Sequence, residues 1–208
     1  LDADTRMVRG TAFRLAGAMA HPLNRAHLDP ALRRVTSGYG VMQPRITPVL
    51  PSVGPGSMFQ HIHSSRAGID PYAFAVSDVY QDLFKEGSYT GKGIYDVDAF
   101  TGALHDRVPE NALLSHDLFE GLYARTALLT DVEFFDESPP DYLVSAARSH
   151  RWIRGDWQLL PHLFRARLPL IGGWKMLDNL RRSLVAPASL LLLVCGGGST
   201  VPWVWVGF

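Results

Sequence analysis

The sequence has little of what identifies several protein classes. Its 208 residues include one cysteine, Cys195, so an internal disulfide is excluded, which fits a chain facing the cytosol. Its 20 basic residues balance 20 acidic ones, and so no net field favours nucleic acid or an acidic partner. Internal repeats and long low-complexity tracts are absent. The length suits one ordinary domain with a sizeable core.

Familiar catalytic and targeting signatures are also missing. No Gly-x-Ser-x-Gly elbow occurs, and residues adjacent in sequence such as Ser115-His116-Asp117 cannot supply a hydrolase triad's geometry. Gly91-Lys92-Gly93 lacks the remainder of a nucleoside triphosphatase phosphate loop, so we interpret its glycines as allowing close backbone approach to a sugar or acceptor. Neither an initiator methionine nor a signal peptide opens the chain, which indicates a fragment.

The pattern of apolar residues, prolines and glycines predicts an α/β domain. Strands are expected at 38–44 and 128–135, with a proline-rich loop from Pro44 to Gly56. Helices are expected over 9–20, 57–63, 70–84, 115–127 and from a Ser138 cap to about residue 160. Because strands alternate with helices, a mostly parallel sheet is predicted.

The last part of the chain predicts a membrane segment. Residues 184–208 are almost free of charge and follow Arg181 and Arg182, and a bilayer requires about 20 apolar residues. We therefore expect a domain over 1–182 and a transmembrane segment over 183–208. Gly196-Gly197-Gly198 and Pro202 interrupt the run, so a short span with a re-entrant turn stays open. The alternative is a buried core helix followed by a strand.

Asp2-Ala3-Asp4 is a candidate metal site at a predicted strand end. Two carboxylates separated by one small residue can share a divalent cation, Mg²⁺ or Mn²⁺, together with substrate phosphates. Sheets of this class bind ligands at the carboxyl ends of their strands. By itself an Asp-x-Asp is more often an exposed loop.

Asp117 is the candidate general base. It falls in the first turn of a predicted helix, where the helix dipole stabilises a carboxylate. A base must lie within hydrogen-bond reach of the hydroxyl that it deprotonates. Taken alone, the same residues are more often explained by ordinary capping and charge at the N-terminus of a helix.

The densest cluster of chemistry runs from Arg148 to Gln158. On a helix Arg148 and Arg151 share a face, and their guanidinium groups suit a diphosphate, while Trp152 can stack on a sugar ring. The alternative is a salt-bridged amphipathic helix whose tryptophans anchor at a membrane surface.

The order of these signals resembles the processive family-2-type synthases of cellulose, chitin and hyaluronan. Those enzymes usually have Thr-Glu-Asp and Gln-x-x-Arg-Trp where this chain has Ser115-His116-Asp117 and Arg148-Ser149-His150-Arg151-Trp152. The amino-acid sequence of four longer stretches instead resembles the transferase domain of the cyclic β-1,2-glucan synthases. Those stretches are residues 79–84, 91–100, 114–121 and 151–158, and the resemblance extends from Asp2 to about Pro187.

The resemblance implies the C-terminal half of a GT-A type domain that transfers glucose from UDP-glucose with inversion onto a growing β-glucan. Asp2 and Asp4 would hold the metal and the UDP diphosphate, and Asp117 would deprotonate the acceptor's 2-hydroxyl. Arg151 and Trp152, with Arg148 nearby, would support the diphosphate and the acceptor end. The family's synthases lie in the inner membrane with the catalytic part in the cytoplasm.

In the resembled fold the strands that bind uracil and ribose precede the Asp-x-Asp, so the chain alone is expected to be inactive. Two other functions stay open. One is a non-catalytic membrane scaffold or sugar-binding remnant, and the other is a related synthase that makes another β-glucan.

Overall fold

The computed structural model describes residues 5–49, 56–63, 78–114, 116–165 and 168–197. The chain divides into two compact units, residues 1–158 and 159–208. The elements of the first unit are β1 (Arg6–Met7), α1 (Thr11–Ala20), a 3-10 turn (Pro22–Asn24), β2 (His27–Asp29), β3 (Arg34–Ser37), β4 (Val41–Val49), α2 (Met58–His63), α3 (Val79–Phe84), β5 (Ile94–Tyr95), α4 (Val97–Leu104), α5 (Asp117–Ala124), β6 (Thr126–Glu137) and α6 (Tyr142–Gln158). The second unit contains α7 (Leu160–Arg165) and α8 (Leu170–Gly197).

The sheet that carries the site is mixed, so the prediction of a mostly parallel sheet is wrong. Among the described residues its order is β1-β6-β4-β5, and β4 and β6 are the parallel pair at its centre. The edge strands β1 and β5 are two residues long and antiparallel to their neighbours. Short edges of this kind offer little unpaired backbone to other chains. The predicted α/β class itself is confirmed.

Pro44 does not end its strand, contrary to the prediction of a loop from that residue. β4 continues to Val49 and contains both Pro44 and Pro48. β5 pairs only with Val41 and Met42, so within the described residues the rest of β4 hydrogen-bonds to β6 alone. A strand with one open side tolerates proline because the missing N–H is not needed there.

The parallel pairing is interrupted beside Pro44. Register passes from Pro44 opposite Leu129 to Arg45 opposite Glu133, which leaves Thr130, Asp131 and Val132 of β6 without partners in the ladder. Beyond this bulge Arg45 Nη2 donates to Glu133 Oε1 at 2.7 Å, and the two strands resume their pairing up to the carboxyl end of β6.

Helix α1 follows its prediction closely at its C-terminus and begins two residues late. Gly10, at φ +89°, precedes Thr11, and the helix ends at Ala20 because His21 before Pro22 adopts an extended conformation. Helix α6 begins at Tyr142, so the predicted Ser138 cap is wrong. Asp141 occupies that role, since its Oδ1 accepts a hydrogen bond from Val144 N at 2.9 Å.

Apolar packing holds α1 and the loop before β5 to the sheet. One buried cluster joins α1 to both central strands through Leu15, Ile46, Val132 and Phe134. A second consists of Val41, Tyr89 and Ala124, with Phe100 packed against it. Fully burying one such side chain contributes about 1.5–3 kcal/mol.

In the second unit, the predicted boundary between residues 182 and 183 falls inside α8, which is one continuous helix. Within it Asp178 Oδ1 accepts from Arg181 Nη2 at 2.7 Å. None of the helices in the described ranges has both the length and the apolar character needed to cross a membrane. The predicted spanning segment is therefore not supported over residues 183–197, and residues 198–208 lie outside the described part of the chain.

Candidate active site

The segment from Tyr89 to Gly93 lies against β4 and contacts it through polar groups. Gln43, which is buried in β4, accepts hydrogen bonds through Oε1 from Thr90 N at 2.5 Å and from Thr90 Oγ1 at 3.1 Å. A Cβ on Gly93 would lie 2.3 Å from the Met42 carbonyl oxygen, so only glycine fits there. The segment is thus held to the strand at two points.

Asp117 lies against the turn at the centre of this segment. Gly91 has φ +86°, and a Cβ at that position would lie 3.0 Å from the carboxyl carbon and from both oxygens of Asp117. Asp117 is the first residue of α5 and is partly exposed. The carboxylate therefore stands at a helix N-terminus, as predicted, beside backbone that carries no side chain.

Two further titratable groups accompany Asp117. Burial, and next the charge of Asp117, raise the pKa of Glu120 one turn along α5, while His116 opposes that increase. Tyr89 is 9% exposed, and burial followed by the charges of Glu120 and Asp117 raises its pKa well above the ordinary range. The phenol accordingly keeps its proton at neutral pH and is available as a hydrogen-bond donor.

His116 supports the start of α5. Its Nε2 donates to the Leu113 carbonyl oxygen at 2.5 Å, and its Nδ1 lies 3.9 Å from Glu120 Oε1. No side chain caps this helix from the His116 position. Ser115, predicted as the cap, lies outside the described residues.

A buried ion pair connects the same loop to the carboxyl end of β6. Lys92 Nζ bonds to Asp136 Oδ2, and the two side chains are 5% and 7% exposed. Thr5 Oγ1 donates to the other oxygen, Asp136 Oδ1, at 2.8 Å. The loop beneath Asp117 and the residue that follows Asp4 in sequence therefore share one carboxylate.

The predicted metal ligands Asp2 and Asp4 lie outside the described residues. Within the described ranges, no group of three or more histidine, cysteine, aspartate or glutamate side chains is arranged to hold a metal ion. The chemistry of the pair itself fits Mg²⁺ or Mn²⁺, because carboxylate oxygens are the ligands that these hard cations prefer.

The predicted diphosphate-binding residues lie on the exposed side of α6. Arg151 and Trp152 are exposed and Arg148 is partly buried, and the Arg148 guanidinium lies 5.8 Å from the Trp152 ring centroid. The helix reaches the segment before α5 through Gln158, whose Oε1 accepts from Leu114 N at 2.9 Å. That contact is about two turns beyond Arg151.

Sequence reasoning missed Tyr89, Glu120 and the Lys92–Asp136 pair. A lysine between two glycines and an aspartate at the end of a predicted strand were the available signals. Neither residue indicates its partner, because 44 positions separate them.

A mixed sheet with carboxylates and a phenol gathered at one helix N-terminus defines an α/β domain with a candidate acid–base site. Comparison with known proteins narrows this class. The chain is 52% identical over 198 residues to the cyclic β-(1,2)-glucan synthase NdvB of Rhizobium meliloti (strain 1021). The match covers 94% of this chain and 7% of the length of that relative. No family model matches the chain.

The predicted resemblance to the cyclic β-1,2-glucan synthases is thereby confirmed, since nearly the whole chain matches a short segment of one of them.

Proposed function

We propose that this chain is the C-terminal half of a GT-A type domain in an inverting glucosyltransferase that uses UDP-glucose to elongate a β-1,2-glucan. The observation that carries the proposal is the position of the Asp117 carboxylate, at the start of α5 and against the bare backbone of Gly91. The 52% identity to a cyclic β-(1,2)-glucan synthase supports the substrate class.

In this proposal Asp117 is the general base. It accepts the proton of the acceptor's 2-hydroxyl while that oxygen attacks the anomeric carbon of glucose from the face opposite UDP. One new C–O bond forms as the bond to UDP breaks, and a single displacement inverts the anomeric centre. Gly91 has no side chain, so the carboxylate lies directly against its backbone, and burial, followed by the nearby charges of Glu120 and Asp117, raises the pKa of the Tyr89 phenol.

The donor side is assigned to Asp2 and Asp4, which would hold Mg²⁺ or Mn²⁺ with the UDP diphosphate. The bound cation would stabilise the negative charge that develops on the leaving group. Arg148 and Arg151 would add positive charge on that side, and Trp152 would contact the acceptor end. Arg151 and Trp152 are exposed and Arg148 is partly exposed, which leaves the three side chains accessible to substrate.

We further propose that the protein works at the inner membrane with this domain in the cytoplasm. The last turns of α8 support a location at an apolar surface, because large apolar side chains there are exposed after Arg181 and Arg182. Those side chains are Leu184, Val185, Leu190, Leu191, Leu192, Leu193 and Val194.

The test is incorporation of labelled glucose from UDP-glucose by membranes containing the full-length protein, with wild type beside Asp117→Asn. We expect the substitution to lower the rate about 100-fold or more, as for a positioned base. Asp98→Asn is the matched control, because Asp98 is exposed in the first turn of α4, another helix of eight residues. Linkage analysis of the wild-type product tests the β-1,2 assignment.

Equal product from wild type and Asp117→Asn would reject the assigned mechanism. A product of another linkage would favour a related β-glucan synthase. Absence of product from both proteins, at normal protein levels, would favour a non-catalytic scaffold.

A further inference from the structure

The Asp136 carboxylate is the point where two parts of the candidate site meet. One of its oxygens accepts from Thr5 Oγ1, and the other bonds to Lys92 Nζ. Thr5 directly follows Asp4 in the chain, and Lys92 directly follows Gly91, whose backbone lies against Asp117. A path of contacts thus leads from Thr5, the residue after Asp4, through Asp136 and Lys92 to the turn against the predicted base.

Burial, close packing and strand pairing fix the residues along this path. Counted as whole residues, Asp136 and Lys92 are 5% and 4% exposed, so water screens their electrostatic attraction only weakly. Gly93 fixes the other side of the loop, where the Met42 carbonyl leaves no room for a Cβ. On the other arm β1 pairs with β6, with Arg6 opposite Phe135, which keeps Thr5 beside Asp136.

We propose that Asp136 is a positioning residue that sets the segment after Asp4 and the Gly91 turn beneath Asp117 at a fixed separation. This inference rests on the proposed function, in which Asp2 and Asp4, directly before the first segment in sequence, bind the donor and the second segment orients the acceptor base. A displacement reaction requires the two substrates in a near-attack arrangement, and small displacements reduce the rate strongly. A buried bidentate partner is a direct means of setting that arrangement.

The contacts of Asp136 form a bridge with two arms, the hydrogen bond from Thr5 and the ion pair with Lys92. Loss of each arm should have a different effect. Thr5→Val removes the hydroxyl and keeps the shape, so we expect the Kd for UDP with Mn²⁺ to rise at least fivefold with little change in kcat. Lys92→Met cuts the arm toward Gly91 and Asp117, so we expect kcat to fall at least tenfold. Asp136→Ala removes both oxygens, so it cuts both arms and is expected to produce both effects. Lys92→Arg keeps the charge and is expected to restore most of kcat relative to Lys92→Met.

Asp131→Ala is the matched control. Asp131 lies on the same strand, and its carboxylate is 2.5 Å from Arg14 Nη2, but its side chain is 69% exposed. We expect this variant to resemble wild type in both constants. The contrast separates the bridge from the general loss of an ion pair on β6.

Three measurements on the purified full-length protein decide the matter, and the first is kcat for glucose transfer from labelled UDP-glucose. Binding of Mn²⁺ in the presence of UDP is measured through the electron paramagnetic resonance signal of free Mn²⁺. The Kd obtained in this way does not depend on the fraction of the protein that has failed to fold. Hydrogen exchange then tests the bridge without any ligand. Asp136→Ala should speed exchange in residues 5–7 and in residues 90–93 together, and Asp131→Ala in neither.

The inference is overturned if Asp136→Ala leaves either segment's exchange unchanged, or if its Kd and kcat stay within twofold of wild type. Failure of the proposed function has a different signature. In that case wild type transfers no glucose, while the exchange experiment still reports whether Asp136 joins the two segments.

Discussion

The Asp117 carboxylate occupies the space that a side chain on Gly91 would need, with 3.0 Å between the built Cβ and each carboxylate oxygen. Gly91→Ala therefore displaces the carboxylate and also places an alanine at φ +86°, which costs about 1–2 kcal/mol in backbone strain. We expect glucosyl transfer by the full-length protein to fall at least tenfold, measured as initial rate from labelled UDP-glucose.

Gly17→Ala is the control for that substitution. Gly17 lies inside α1 with nothing within 4 Å of a built Cβ, and so alanine there should leave activity unchanged. It should also stabilise the helix by about 0.5–1 kcal/mol. Full activity in Gly91→Ala would mean that Asp117 does not depend on this turn.

Glu120 makes the stability of the domain depend on pH. Burial and the Asp117 charge raise the pKa of Glu120 above its ordinary value of 4.5. The folded state therefore holds the proton more tightly than the unfolded state. The free energy that the Glu120 proton contributes to folding is fully present below pH 4.5. It is lost as pH rises through the pKa of Glu120 in the folded state.

Glu120→Gln removes this effect, so we expect the variant to be more stable than wild type at pH 7.5, with a smaller difference at pH 5. Pulse proteolysis of the full-length protein in urea at both pH values provides the free energies of unfolding. Glu110→Gln, at an exposed position, should match wild type at both. A variant less stable than wild type at pH 7.5 would contradict the sign.

Arg125 fastens the turn between α5 and β6 to two other loops. Its Nε lies 3.2 Å from Glu86 Oε1, and its Nη1 donates to the Gly38 carbonyl at 2.9 Å. Both ionic side chains are largely buried, so Arg125→Ala leaves a buried carboxylate and should cost about 3 kcal/mol.

Arg14→Ala tests the same loss at an exposed pair. Arg14 and Asp131 are 57% and 69% exposed, and such pairs contribute at most about 1 kcal/mol. The free energies of unfolding from pulse proteolysis should therefore separate the two variants. Equal losses would mean that the contacts of Arg125 do not stabilise the domain.

Phe134 is the largest fully buried side chain of the sheet at 1% exposure. Phe134→Ala should lower the free energy of unfolding by about 3–5 kcal/mol, because the cavity cannot fully collapse. Phe13→Ala, at a side chain 87% exposed, should change it by no more than about 0.5 kcal/mol. The urea midpoint of pulse proteolysis reports both, and similar midpoints would place Phe134 outside the core.

The sequence predicted those features of the fold that depend on a few neighbouring residues. The end of α1 at Ala20 follows from the restriction that Pro22 imposes on His21, and Asp117 at a helix start follows from its preference for that position. The direction of the edge strands does not follow from such signals. β1 and β5 are two residues each, too short for an apolar period, and their pairing is set by tertiary contacts.

Proline signals failed in β4 for a related reason. Pro44 and Pro48 indicate a loop only if every N–H of the strand must be paired, and the open side of β4 removes that requirement. The pairing of Lys92 with Asp136 was similarly beyond the sequence, since it requires the parallel register of β4 and β6.

The three unpaired residues in β6 have a consequence for how the chain can vary. Strand side chains alternate faces, so adding or removing one residue in a regular ladder would turn everything beyond it to the opposite face. At Thr130 and Asp131 the ladder is already interrupted and neither side chain is buried, so a change of chain length can be absorbed there. Asp136 keeps its orientation through such a change. This stretch is therefore where natural length variation in the central strands should be tolerated.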